Sequence, residues 1–299
     1  MINANRAKTL LEALPYIARH KDKVMVIKYG GSAMKKESIK ESVVEDLLLM
    51  SYVGIKIVLV HGGGDEINKV LAKYNLDVKF VDGLRYTDEE TMNIVQMVLT
   101  GKVNKDLVKK INTLGGKAIG ISGIDNNLIE CVPYDNYKLG YVGTIKNINS
   151  DIIKDNLAHD YISVIASVGI GESGESFNIN ADVAATEIAK SINADKLILL
   201  TDVPGVLENQ KDEHSLISQI YDVEVPTLFD KGIISGGMIP KIKSCVDALN
   251  NGVNRVHILD GRIPHSIIME LFSDDGIGTL ICKENEPEYK KVEKERVNA

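Results

Sequence analysis

The sequence predicts an α/β fold, a mainly parallel sheet covered by helices on both faces, on three observations. Strand-sized apolar runs alternate with helix-period segments, the pattern that builds parallel sheets with helical crossovers. Two of these runs end directly in glycine loops, Lys28-Tyr-Gly-Gly-Ser32 and His61-Gly-Gly-Gly64, and a helical pattern follows each. At 299 residues the chain has material for one large α/β domain or for two lobes sharing a sheet.

Taken in order, residues 5–20 read as an amphipathic helix with Leu10, Leu11, Leu14 and Ile17 on one face, bent or broken at Pro15. A strand at 24–27 leads into the first glycine loop, and a helix runs to about residue 52. A strand at 56–60 leads into the second glycine loop and a helix at 66–74. Thr87-Asp-Glu-Glu90 reads as a capping box opening a helical segment to about residue 112. The middle is less regular, with short strands at 118–122, 128–132 and 140–145 that include a hairpin. The second half alternates again: strand 161–168, helix 181–191, strand 196–201, helix 238–251, strand 255–259 and helix 265–272. There is no internal repeat. The Lys- and Glu-rich tail from Lys283 reads as solvated, frayed helix or disorder.

The net charge of −7 argues against a nucleic-acid binder, which carries a basic patch. It leaves room for an anionic substrate, since a few lysines can dominate one cleft. Cys131, Cys245 and Cys282 are widely spaced without any C-x-x-C, so neither a disulfide framework nor a zinc site is expected. A reducing, cytoplasmic compartment fits. The histidines do not cluster, and no bound metal site is expected. Neither a secretory signal nor a membrane span is read from the apolar runs.

Gly169-Ile-Gly171-Glu-Ser-Gly174 spells the dinucleotide-binding G-x-G-x-x-G directly after a strand. Its context disagrees. The helical period starts only near Asp182, so the glycines occupy a loop of their own instead of the first turn of a helix. A P-loop is also absent, because Gly115-Gly-Lys117 is followed by Ala118. The two other glycine loops fit anion binding better. Their N–H groups can face a cleft, with the potential of the following helix behind them. Either loop alone reads equally as a tight turn between strand and helix. Lys28 ends an apolar run and either enters the cleft or snorkels to solvent. Lys241, near the start of a helix, is unfavourable against the helix dipole unless an anion is near, and is otherwise a solvated lysine. Asp182 stands where an N-cap or first-turn carboxylate is expected, and capping is the simpler assignment. Thr201-Asp-Val-Pro-Gly205 closes a strand with turn residues able to hold a ligand.

Together these segments resemble the amino-acid kinase family, and within it the members acting on N-acetyl-L-glutamate. The resemblance is carried by VIKYGGSAM (26–34), VLVHGGG (58–64), GLRYTDEET (83–91), GYVGTI (140–145), FNINADVAAT (177–186), LLTDVPGV (199–206) and GMIPK (237–241). It spans about residues 8–282. It implies a three-layer α/β/α sandwich of two lobes, residues 23–180 for acetylglutamate and 181–282 for ATP. Residues 1–22 would form an N-terminal oligomerisation helix and 283–299 a charged tail. The implied reaction moves the γ-phosphoryl of ATP to the side-chain carboxylate of N-acetyl-L-glutamate, the second step of arginine biosynthesis.

By the same resemblance Lys28 and Lys241 grip the transferred phosphoryl and Asp182 holds both lysines. Gly63, Gly64, Arg85 and Asn178 hold acetylglutamate. Gly30 and Gly31 cradle phosphate, and Thr201, Asp202, Val203, Pro204, Gly205, Val206, Ile233, Ile234 and Ser235 form the ATP region. Mg²⁺ is expected on the phosphates. The N-terminal LLEALPYIARH and the segment 255–279 resemble arginine-inhibited hexamers, built as trimers of dimers. There Tyr16, Lys196, His257, Glu270 and Gly276 match the L-arginine site. A member acting on carrier-protein-bound aminoadipate or glutamate would differ around Arg85. A silent arginine- or nucleotide-binding regulator would not need Lys28, Lys241 and Asp182 together.

Overall fold

The computed structural model describes residues 8, 10–34, 36–274 and 276–284. A short helix, α1 (Leu14–His20), precedes β1 (Val24–Tyr29), α2 (Glu37–Tyr52), β2 (Lys56–His61) and α3 (Gly64–Lys73). A tiny hairpin, β3 (Phe80–Val81) and β4 (Leu84–Arg85), leads to α4 (Glu89–Gln96), a π-helical segment (Met97–Val103) and α5 (Asn104–Thr113). Then come β5 (Ala118–Ser122), β6 (Ile129–Pro133), β7 (Gly143–Ile148), α6 (Asp151–Ala158) and β8 (Ile162–Ala166). Next are β9 (Val168–Ile170), β10 (Ser176–Asn178), α7 (Ala181–Ser191) and β11 (Lys196–Thr201). The last elements are β12 (Gln219–Tyr221), α8 (Val225–Asp230), α9 (Met238–Asn250), β13 (Arg255–Asp260), α10 (Ser266–Leu271) and β14 (Thr279–Cys282).

The central sheet has the order β12-β14-β13-β11-β1-β2-β8-β5 and is mainly parallel. β14 runs antiparallel to β13, and β12 parallel to β14, so one edge pair opposes the rest. Alternation along the strands divides the core. Met25, Ile27, Tyr29, Ile57 and Leu59 enter one apolar cluster with Leu47 and Ile111 of α2 and α5. Val26, Val58 and Val60 enter the other with Ala185 and Ile188 of α7 and Ile242 of α9. Burial of both faces makes the three-layer sandwich and explains the near-continuous apolar strands.

Three local expectations are corrected. The capping residue at α4 is Asp88, whose carboxylate accepts from Thr91 N–H at 2.9 Å, whereas the Thr87 hydroxyl donates to the Arg85 carbonyl. The helix it opens is interrupted by the π segment before α5. The single strand expected at 161–168 divides at Ser167, so that β8 stays in the main sheet while β9 joins a second sheet, β10-β9-β6-β7. The hairpin expected among the three short middle strands is present: β6 and β7 form it, while β5 belongs to the main sheet. Pro15 acts as expected: α1 starts around it, with a turn at Ala13 separating it from residues 10–12. The expected start of that helix at Asn5 and the tail at 285–299 lie outside the described residues.

Candidate functional site

Strand register places the first cation. Lys28 shares the face of Val26, the face that α7 covers, and it stands at the carboxyl end of β1 beside Val60 and Leu199. α7 begins over that strand end. α9 packs parallel to α7, as two ion pairs along them show: Asp182 with Lys241 near their starts, and Lys190 with Asp247 at 2.8 Å near their ends. Two helix N-termini therefore converge on the carboxyl end of β1, where their dipoles favour anions.

Asp182 is not the N-cap. Asn180 takes that role, its side-chain oxygen accepting from the N–H groups of Asp182 and Val183 at 2.9 and 3.2 Å. The Asp182 carboxylate is released to bridge the cations, one oxygen 2.9 Å from Lys28 Nζ and the other 2.8 Å from Lys241 Nζ. Both lysine side chains are mostly buried, so this is a pre-set pair of ammonium groups held by one carboxylate.

Burial raises the Asp182 carboxyl, but the Lys28 and Lys241 charges outweigh it and hold the group down at about 2. Its folded value lies below its unfolded value of 3.8, so its stabilisation is complete above that pH and is lost as the pH falls towards 2. Acid unfolding followed by circular dichroism is expected to show wild type above Asp182→Asn, with the gap closing across this window. A gap unchanged through the window would contradict the bridge.

The glycine loops border the lysines. A Cβ on Gly30 would come within 3.3 Å of Lys28 Nζ, and Gly31 adopts φ +61°, a conformation glycine takes freely. The Gly62 N–H donates to the Tyr29 carbonyl at 3.1 Å, pinning the second loop to the end of β1. A Cβ on Gly63 would meet Leu99 at 2.7 Å and Val103 at 3.2 Å, so the π segment closes on this loop. A cavity of about 780 Å³ opens beside Gly31, Gly63 and Gly64 and is bordered by Lys40, Lys69 and Lys102.

Arg85 reaches the same loop from the β3–β4 hairpin, whose turn is Asp82-Gly83, both at positive φ. That dipeptide was the signal for a hairpin not read from the sequence. The Phe80 ring lies 4.8 Å from the guanidinium carbon, and Nη2 donates to Asn68 Oδ1 at 2.6 Å. Nη1 is buried with no partner among the described residues, an orphan donor suited to a carboxylate. Burial lowers the Arg85 pKa from its ordinary value. Asn178 Nδ2 donates to Thr87 Oγ1 at 3.1 Å, and Thr87 Oγ1 in turn donates to the Arg85 carbonyl.

On the other side of Lys241 a cavity of about 560 Å³ is lined by Asp202, Val203, Pro204, Gly205, Val206 and Ile233. Met238, at the start of α9, and Gln210 and Arg262, from separate loops, also line it and carry no local signal that assigns them there. Arg262 is held there by a bidentate pair with Asp260 at 2.9 and 2.7 Å. Thr201 instead spends its hydroxyl on the Val203 and Leu259 carbonyls. Ile234 is buried in the core, and the Ser235 hydroxyl accepts from Gln210 at 2.7 Å.

A third cavity, about 480 Å³, brings together Tyr16, His257, Glu270 and Gly276, with Arg19, His20 and Asp274 beside them. The Tyr16 hydroxyl donates to Asp274, and His257 Nδ1 lies 2.7 Å from Glu270. Glu270 also accepts from the N–H groups of Ile277 and Gly278 at 2.8 and 3.1 Å. Burial raises the Glu270 carboxyl, but His257 and these two donors outweigh it and leave it lowered. A Cβ on Gly276 would lie 2.7 Å from this carboxylate, so the close approach needs glycine. Lys196 is fully buried behind the cavity instead of lining it. Burial and the Lys196 charge together lower His20 to about 3.

A model of the amino acid kinase family matches residues 23–260. The chain belongs to the amino acid kinase family. Among family members, an acetylglutamate kinase of Clostridioides difficile (strain 630) is 68% identical over 286 residues, covering 96% of this chain and 100% of that one. Among solved structures, N-acetylglutamate synthase from Neisseria gonorrhoeae complexed with coenzyme A and N-acetyl-glutamate superposes with TM-score 0.81 and 26% identity, over 94% of this chain and 64% of that one. The same enzyme complexed with coenzyme A and L-arginine gives TM-score 0.78 and 25% identity, over 93% and 65%. This chain thus spans less than two thirds of the synthase's length. No described helix is long and apolar enough to cross a membrane.

Proposed function

We infer that this amino acid kinase family member transfers the γ-phosphoryl group of ATP to the side-chain carboxylate of N-acetyl-L-glutamate, giving N-acetyl-L-glutamyl 5-phosphate and ADP in arginine biosynthesis. The observation that carries the reading is the Lys28–Asp182–Lys241 bridge standing where the glycine loops meet the cavity of Asp202–Val206. The 68% identity to an acetylglutamate kinase supports the acceptor.

The chemistry follows from charge. A carboxylate oxygen attacks the γ-phosphorus as the bond to the β-phosphate oxygen breaks, and ADP carries away the electron pair. The acceptor is already ionised, so no general base is needed. The barrier lies in bringing an anion to a polyanion, and the protein lowers it by positioning and neutralisation. Lys28 and Lys241 supply the cations, and Asp182 keeps them apart and oriented. The N–H groups of Gly30, Gly31 and Gly63 face phosphate oxygens, while Arg85, Gly64 and Asn178 orient the acceptor. Mg²⁺ is assigned to the phosphates: the one carboxylate between the lysines, Asp182, is already committed to both ammonium groups. In this reading residues 23–180 serve acetylglutamate and 181–282 serve ATP, consistent with Arg85 and Asn178 on one side and the Asp202–Arg262 cavity on the other.

Regulation belongs to the same proposal. The cavity of Tyr16, His257, Glu270 and Gly276 is assigned to L-arginine, with Glu270 as guanidinium acceptor and Lys196 contributing charge from behind. That the structurally similar synthase has been crystallised with L-arginine supports this. Leu10, Leu11 and Leu14 are 72%, 62% and 52% exposed, an apolar strip that a hexameric trimer of dimers would cover. A light-scattering mass of six chains tests the assembly.

The deciding assay follows ADP release from Mg-ATP with N-acetyl-L-glutamate, beside free glutamate, aspartate and aminoadipate, with and without L-arginine. Turnover on acetylglutamate alone, suppressed by arginine, is expected. Turnover on another acceptor would overturn the substrate, and indifference to arginine would overturn the regulatory assignment.

A further inference from the structure

His61, the last residue of β2, is fully buried immediately before the second glycine loop, yet no step above uses it. Its hydrogen bonds fix its tautomer. Asn104, the first residue after the π segment, places its side-chain nitrogen against three groups: the Val164 carbonyl at 2.9 Å, the Ile121 carbonyl at 3.2 Å and His61 Nε2 at 3.1 Å. Backbone carbonyls only accept, so the Asn104 atom facing them is the NH₂ group, which donates. Its two hydrogens are shared among these three groups, and a proton on Nε2 would point at a group that only donates, so Nε2 is the unprotonated nitrogen. The ring proton sits on Nδ1 and donates to the Gly62 carbonyl at 2.9 Å. Burial, aided by the Lys105 charge, lowers the ring pKa to about 4 despite the Gly62 contact, so the imidazole is neutral at working pH.

The peptide between Gly62 and Gly63 is planar and trans, so its carbonyl and the Gly63 N–H point in opposite directions. Holding the carbonyl against buried His61 aims that N–H away from the ring, at the start of α3. It lies in the loop whose Gly62 N–H is 3.8 Å from a Cβ built on Gly30, which would itself meet Lys28 Nζ at 3.3 Å. Glycine lacks the side chain that would hold this peptide by itself. The π segment presses the same loop from Leu99 and Val103. A π turn adds one residue to the helical repeat, which lets one helical segment supply both those contacts and Asn104.

We propose that His61 is a positioning residue for phosphoryl transfer: locked as the Nδ1–H tautomer by Asn104, it orients the Gly62–Gly63 peptide so that the Gly63 N–H meets the transferred phosphoryl. The proposal rests on the glycine loops being the phosphoryl cradle.

His61→Leu removes the donor. Its kcat for acetylglutamate is expected to fall about 10²-fold, the usual loss for one donor to a developing oxyanion, with KM for both substrates changed by less than about threefold. His61→Asn returns an amide N–H near the Nδ1 position, and its kcat is expected to recover to within about tenfold of wild type. A packing role would not separate the two variants in kcat at equal KM. Wild-type kcat in His61→Leu, or equal losses in both variants with KM, would overturn the proposal. Independently of folding of the variants and of any activity, ¹⁵N-histidine spectra of the wild-type chain are expected to show the His61 proton on Nδ1. A proton on Nε2 would overturn the proposal even if the kinase reading stood, whereas absence of turnover in wild type would sink that reading alone.

Discussion

Lys28→Met is expected to lower kcat by about 10²–10³-fold, the cost of removing one pre-positioned charge from a developing phosphoryl transition state. Methionine keeps most of the stem of Lys28, which stands beside Val60 and Leu199 on the neighbouring strands, and deletes only the ammonium. Asp182 keeps Lys241 as a partner at 2.8 Å, so the carboxylate is not stranded and the fold is expected to survive. KM for ATP should change far less than kcat, since ground-state phosphate retains the glycine loops and Lys241. Steady-state kinetics beside a thermal unfolding curve checks this. A variant that keeps kcat within about threefold at normal stability would remove Lys28 from the chemistry.

Arg85→Lys is expected to raise KM for acetylglutamate about 10–100-fold with kcat changed much less. A hydrogen bond to a charged group contributes about 1.5–3 kcal/mol, and a lysine ammonium offers no planar fork for a carboxylate. The wild-type geometry explains the sensitivity. Nη2 is committed to Asn68, the Phe80 ring lies against the guanidinium, and buried Nη1 is left for a ligand. A flexible ammonium cannot reproduce those three arrangements at once. An unchanged KM would move the acceptor site away from Arg85, and equal losses in kcat and kcat/KM would make Arg85 a transition-state group instead.

The glycine loops, Lys28 at a strand end and the strand–helix alternation were legible because each is written in adjacent residues. Capping was not. Thr87 and Asp88 are both good N-caps, as are Asn180 and Asp182 within their segment, and local propensity does not choose between neighbours. In the fold Thr87 turns back to the Arg85 carbonyl and Asp182 towards two cations, which leaves Asp88 and Asn180 to cap. The division of strand 161–168 is not legible because Ser163, inside β8, and Ser167, at the break, are the same residue type in one mostly apolar run, and only the pairing of β9 with the second sheet reveals the break at Ser167. Arg262 and Gln210 carried no motif. They reach the Asp202–Val206 cavity through loops whose courses depend on the whole sheet.

The sequence by itself determined the layers, the order of most elements and the residue types at the strand ends, because hydrophobic period and turn chemistry act over a few residues. The tertiary structure alone decided that Lys28 and Lys241 share one carboxylate, that Tyr16 joins Glu270 across nearly the whole chain, and that His61 faces Asn104. Those meetings depend on strand order and parallel helix packing, which place distant segments at the same end of one sheet and which no local pattern encodes.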